Sequence, residues 1–295
     1  MICLSPRVTY FLPYIRVILS PLMRYIGDEV FILGRCPMDE NDFAEETWGG
    51  PDYRRPEEIG PSEIRQALSS LELFNDDPFL RMQALNLDVV DGFIIRLEYG
   101  VLQKLIDQEA TPIPEVAFLL AQSQMWIFAA YELMRTWRQR AKDIIKWTDN
   151  GGLEAKLQEY EKNIGFPHFG RELRAAQIKH VLTDPAIIDK VKSDLRLTHM
   201  LFARIQAVRV SIAKHEVSGQ KNSIALMPGY ARINKWCGAL DFDLEGGAYS
   251  LGDISRRDIA DGIRTLMTVD SPPTPDELRE FDAFMRGPST AGPIL

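Results

Sequence analysis

The feature that most constrains this chain is a repeated local device: a proline set where the first turn of a helix would begin, followed by a run without helix breakers. It occurs at Gly60-Pro61-Ser62, Asp77-Pro78, Pro114-Glu115, Asp184-Pro185 and Thr274-Pro275. Proline suits the first helical position because its missing N–H needs no partner there and its φ is already helical. These starts predict a short helix to about Phe74 and a long segment from Pro78 to Glu109, open to a break near Gly92 or Gly100. They also predict a helix from Pro114 to about Thr148, ended by Asn150-Gly151-Gly152, an unbroken one from near Pro185 to about His215, and a terminal one to Arg286. Thr274 and Glu277 have the spacing of a capping box. Residues 153 to 163 read as an exposed helix or connector, 165 to 170 as a loop and 171 to 182 as another helix.

Between Val116 and Met134 apolar residues surround the helix axis, which marks a central, buried helix. Gln122, Ser123, Gln124 and Glu132 interrupt that run, so it does not read as a membrane span. After His215 the pattern changes. Gly238 to Leu244 alternates as a half-buried strand should, and Gly246-Gly247 with the apolar run Ala248 to Leu251 completes a β-hairpin signal. Ser255-Arg-Arg-Asp258 then resembles a capped helix start, running to about Met267. Arg256 and Arg257 oppose the helix dipole there unless they meet a carboxylate or a bound anion, with a carboxylate the favoured partner. The expected fold class is mainly α, an antiparallel helical bundle with a small C-terminal β-hairpin and a helix packed on it.

Three segments follow: an N-terminal extension at 1–60, the bundle with its hairpin at 61–270, and a peripheral tail helix at 271–295. Within the first, the apolar run Tyr10 to Met23 is broken by Pro13, Arg16 and Pro21, and the composition turns acidic from Met38. The expectation is a partly disordered extension or an upstream-start artefact, with Met38 or Met23 as initiator.

A net charge of -8 argues against a protein that coats nucleic acid without specificity, which relies on excess Lys and Arg. Cys3, Cys36 and Cys237 are odd in number and widely spaced, which suggests neither a disulfide framework nor a zinc site, and fits a cytoplasmic location. HExxH, GxSxG and GxGxxG motifs are absent from the sequence, and Asp253 stands where a phosphate loop needs lysine. No metal and no cofactor are expected.

The chemistry-bearing stretch is Arg209-Val-Ser-Ile-Ala-Lys-His215 at the end of the helix expected from Pro185 to His215. Arg204, Ser211 and His215 fall within the apolar arc of Leu197, Met200, Leu201, Val208 and Ile212, where polar groups need a partner or a task. A similar spacing recurs at Arg174 and His180 on a shorter, more polar helix. Arg-x5-His late in a helical bundle resembles the HEPN superfamily (higher eukaryotes and prokaryotes nucleotide-binding), over about residues 78 to 216. The resemblance implies a metal-independent endoribonuclease, or an RNA or nucleotide binder, acting as a homodimer that joins two Arg/His pairs. Arg209 would stabilise phosphate, His215 would act as general acid and base, and Glu132 would match a polar residue placed near the motif. Val210 stands where such domains usually carry Asn, Asp or His.

A six-residue step sets Arg209 and His215 about 120° apart on a straight helix, so convergence needs a dimer or a distorted helix end. Arg204 is expected to pair in the core with a buried Glu132, with Arg209 as the second choice. Arg135, Arg138, Arg140 and Lys142, with Trp137, read either as a basic aromatic patch for RNA or as cations favouring a helix C-terminus. Arg204, Arg135 and Arg138 are thus the candidate phosphate contacts. The alternative is a non-catalytic, dimeric interaction or scaffold protein; neither reading involves a membrane.

Overall fold

The computed structural model describes residues 53–219, 223–246 and 250–287. The N-terminal apolar run, the two candidate initiators and the last eight residues lie outside them. After a 3-10 turn at Pro56–Glu58 come α1 (Glu63–Ser69), α2 (Pro78–Gln108), α3 (Ile113–Asp149), α4 (Leu153–Glu161), α5 (Phe169–Thr183), α6 (Ile187–Leu197) and α7 (His199–Lys214). A sheet of β1 (Ala231–Ile233), β2 (Leu240–Glu245) and β3 (Ser250–Ser255) follows, then α8 (Arg256–Arg264), a 3-10 turn at Thr265–Met267 and α9 (Pro275–Arg286). The fold is mainly helical with a small antiparallel sheet and a helix after it, as the sequence implies.

The proline starts lead into helices, and side-chain caps reinforce two of them. Asp77 accepts the N–H groups of Phe79 and Leu80, and Thr274 and Glu277 close a reciprocal capping box. Gly92 and Gly100 do not break α2, which runs unbroken for 31 residues; both occupy open positions where a Cβ would meet nothing. α2 and α3 are antiparallel, because successive contacts ascend one helix and descend the other. Lys104 pairs with Glu115, and the Trp126 indole donates to the Leu87 carbonyl. The Trp137 indole, lower still, donates to the Glu72 carbonyl.

α3 is the axis of the bundle. Trp126, Ile127, Met134, Trp137, Ala141 and Ile144 are fully buried along one side, against α2, α6 and α7. The all-round burial expected between Val116 and Met134 is not found: the N-terminal half of α3 is long and apolar enough to cross a membrane, 28% of that window is buried, and Phe118 and Met125 are exposed.

The long helix expected from Pro185 to His215 is two helices, meeting at Thr198. Arg138 donates to the Leu195 carbonyl at 3.0 Å and to the Thr198 hydroxyl, and that hydroxyl donates to the Asp194 carbonyl. A buried guanidinium takes the carbonyl that the next helical N–H would have used, so α6 ends without proline or glycine.

β2 is the centre of the sheet, antiparallel to both neighbours, with Phe242 opposite Ala231 and Ile254. Within the segment Tyr230 to Trp236, which precedes β2, Ala231–Ile233 forms the edge strand β1. Leu240, Phe242, Leu244, Leu251 and Ile254 form the buried face, which packs on α7, while Asp241, Asp243 and Asp253 stand on the other.

Candidate functional site

The seam between α3 and α7 gathers most of the residues singled out above. Tyr131 on α3 stacks on Phe202 of α7 with ring centroids 5.5 Å apart. Arg209 lies over the free face of this pair at 5.0 Å from the Tyr131 ring, and Arg138 lies over Phe202 at 4.9 Å. The contacts ascend α3 while descending α7, so the two helices are antiparallel and one guanidinium closes each end of an aromatic stack.

Glu132 corrects one expectation. It is 48% exposed, donated to by Arg135 Nε at 2.8 Å and only 3.9 Å from Arg209. It therefore faces the second-choice arginine, while Arg204 is 4% exposed on the buried side of α7. The reason is angular: Glu132 follows Tyr131 onto the rim of the seam, whereas Leu133 and Met134 turn inward. An exposed pairing of this carboxylate with two arginines replaces the buried salt bridge the sequence suggested.

The basic patch on α3 disperses as well. Trp137 is buried, Arg140 pairs with Asp77, and Arg138 is 5% exposed and spent on the α6 terminus. Burial pushes the Arg138 guanidinium down to about 10, still protonated at neutral pH. Of the three candidate phosphate contacts, only Arg135 stands in solvent, and it is paired to Glu132.

His215 terminates α7 in the left-handed conformation, φ 58°, with its ring exposed and its carbonyl accepting from Ala225 N–H at 2.9 Å. It sits more than one helical turn beyond Arg209, whose side chain is turned to Tyr131 and Glu132. Glu132, Arg135 and Arg209 are thus brought together, and His215 belongs to the loop side of the same helix. At the other end of α7, His199 lies 2.7 Å from Asp282 of α9. A cleft of about 270 Å³ opens beside this contact, lined by Gln206, Ser218, Glu245, Asp282 and Arg286 among others. The Glu245 carboxylate there accepts the backbone N–H groups of Leu226 and Met227 at 2.6 and 3.1 Å. Among the described residues no group of three or more His, Cys, Asp or Glu is placed to hold a metal ion.

Sequence reasoning missed the two faces of α2. Inward, Asp91 and Glu98 meet Arg256, Arg257 and Arg264 of α8. Arg256 donates to Glu98 through Nε at 2.9 Å and Nη2 at 2.7 Å, and both Arg256 and Arg264 bond Asp91. Arg257 lies 3.9 Å from Glu98 and donates to Asp261, and all three arginines are buried. Burial raises the Glu98 carboxyl against the pull of Arg256, while Glu98 and Asp91 keep Arg256 protonated. Of the carboxylate or bound anion that the sequence left open for Arg256 and Arg257, the structure supplies carboxylates, which the sequence could not single out.

Outward, Phe79, Met82, Leu85, Val89, Val90 and Phe93 are 39 to 64% exposed on one helix. Phe79, Met82, Asn86, Val89 and Phe93 recur at alternating steps of three and four, the spacing of a helix-pairing seam. That spacing was legible; which face would turn outward was not. Comparison with protein-family models, curated proteins and solved structures finds no match for this chain.

Proposed function

We propose that this protein is a non-catalytic helical interaction protein, working as a cytoplasmic homodimer. The observation that carries the reading is the α3–α7 seam, where the arginines that would have gripped a phosphate are engaged by the fold itself. Arg138 caps α6, Arg209 covers Tyr131, and Arg135 and Arg209 share Glu132. What the bundle offers to solvent instead is a contiguous apolar helix face, and faces of that kind mark association surfaces. The test is a cleavage assay in EDTA on single-stranded and structured RNA, alongside His215→Ala. The expected result is no turnover by either protein and an unchanged fold in the variant; cleavage abolished by His215→Ala would overturn the reading.

One observation favours a second reading, the metal-independent, HEPN-like endoribonuclease or RNA and nucleotide binder. His215 is exposed, and Arg209 retains 26% side-chain exposure, which leaves both open to another such pair from a second copy. In that case Arg209→Lys would fail as well, since lysine cannot reproduce a planar two-pronged grip.

A further inference from the structure

The geometry points to the outer face of α2 as a docking surface for a second copy of this chain, with the two α2 helices antiparallel about a two-fold axis close to Asn86. This deepens the homodimer reading above and rests on it. Three independent features of the face select this occupant.

The first is area. Six large apolar side chains exposed by 39 to 64% present roughly 500 Å² of apolar surface. Pairing two copies then removes about 1,000 Å² in total, the size at which specific interfaces begin. An edge-to-face contact between Phe79 and Phe169, 6.0 Å between centroids, extends the patch onto α5 and stiffens its N-terminal end.

The second is periodicity. Steps of three and four keep the stripe on one side of a straight helix over four turns, which a helix partner of equal length covers and a compact ligand would not.

The third is charge, and it fixes the direction. Asp76 stands just before α2, partly exposed, with His180 at 3.6 Å; Arg96 stands past the far end of the stripe, its guanidinium 4.8 Å over the Phe93 ring. Parallel pairing would stack Arg96 on its own copy. Antiparallel pairing turns each Arg96 toward the Asp76 end of the other chain, so the same face complements itself, as a two-fold interface requires. Residues equidistant from the axis then meet: Phe79 with Phe93 of the second copy, and Met82 with Val90 of the second copy. The central pair is Asn86 with Asn86 of the second copy, whose amides satisfy each other and penalise a shifted register.

The test uses the full chain. Sedimentation velocity from about 1 to 100 µM covers the range in which an interface of this size associates. The expected species is twice the 33.6 kDa chain, and Val89→Lys or Phe93→Lys should weaken association by about a hundredfold or more with unchanged circular dichroism. Orientation is read by oxidation, with the parent chain as the blank for its own cysteines. An equimolar mixture of Met82→Cys and Val90→Cys chains should form a disulfide-linked dimer, and Met82→Cys alone should not. Linkage by Met82→Cys alone would overturn the antiparallel arrangement. A dimer that survives both lysine substitutions would overturn the choice of surface while leaving the homodimer intact. A chain that stays monomeric throughout would remove both, and RNA cleavage would remove the non-catalytic reading but not this interface.

Discussion

The two faces of α2 invert the usual arrangement of a surface helix. Toward the core it presents Asp91 and Glu98 to three buried arginines of α8, and toward solvent it presents Phe79, Met82, Leu85, Val89, Val90 and Phe93. The contrast teaches that burial here follows partnership as well as polarity. A charge can be interior when hydrogen-bonded opposite charges meet it, and an apolar stripe can be exterior when another surface is to cover it. The inner face ties α2 to α8 across more than 150 residues of sequence, whereas the outer face leaves room for a second molecule.

The comparison breaks most sharply on the inner face. Glu98→Ala leaves Arg256 and Arg257 buried without their shared carboxylate, and should lower unfolding stability by about 3 to 5 kcal/mol in urea titration. Adding Arg256→Leu to it should recover part of that loss, since an uncompensated charge is removed; failure to recover any would mean that Glu98 acts through packing alone. Close in size is Gly238→Ala. Gly238 has φ 77°, and a Cβ there would overlap the Glu98 backbone carbonyl, so we expect a loss of about 3 kcal/mol. A fully stable variant would show that the loop before β2 yields freely.

The outer face of the sheet is an intermediate case, with carboxylates neither fully paired nor fully solvated. Asp241 is pushed up to about 7, chiefly by burial, against hydrogen bonds from Asn234; Asp258 and Asp253 add to the rise and Arg232 opposes it. Asp243, opposite Asp253 in the sheet, rises to about 6, again led by burial. Carboxyls whose folded pKa exceeds the unfolded 3.8 bind more protons when folded, so their stabilisation is complete below about 4 and is lost as pH rises through 6 to 7. The thermal midpoint should therefore contain a component that falls across that window, and Asp241→Asn should flatten it. An unchanged slope in the variant would assign the component elsewhere.

A smaller gain is expected at His215→Gly. Its left-handed backbone favours glycine, so removing the ring should add about 0.5 to 1 kcal/mol. The smallest effect on folding should come from the outer face of α2, where Val89→Lys should change the stability of the dissociated chain by no more than about 0.5 kcal/mol. A large loss at high dilution would mean that this face is covered within one chain.

The sequence reading succeeded where the physics is local. Caps at Thr274 and Ser255, the glycine stop after α3 and the alternation of β2 depend on neighbours within a few residues, and each appears where the pattern put it. It failed at Thr198, because the groups that end α6 come from Arg138, some sixty residues earlier. The candidate site shows the same division. Arg209 and Glu132 were found and do approach each other, yet the buried arginine and the carboxylate were assigned to one another wrongly, because a rotation of one residue on α3 carries Glu132 from core to rim.

By itself, then, the sequence determined that this chain forms long helices in a given order, that a strand pair and a capped helix follow them, and that Arg256 and Arg257 need negative charge beside them. Those conclusions rest on backbone hydrogen bonding, apolar periodicity and the desolvation of charge, all of which act through residue type and short spacing. Only the tertiary structure decided that Asp91 and Glu98 are the partners, that α2 turns its apolar stripe outward, and that the arginines of α3 and α7 close on aromatic rings. Such choices depend on how whole helices rotate about their axes when they pack, and a single sequence specifies the faces of a helix without saying which neighbour each will meet.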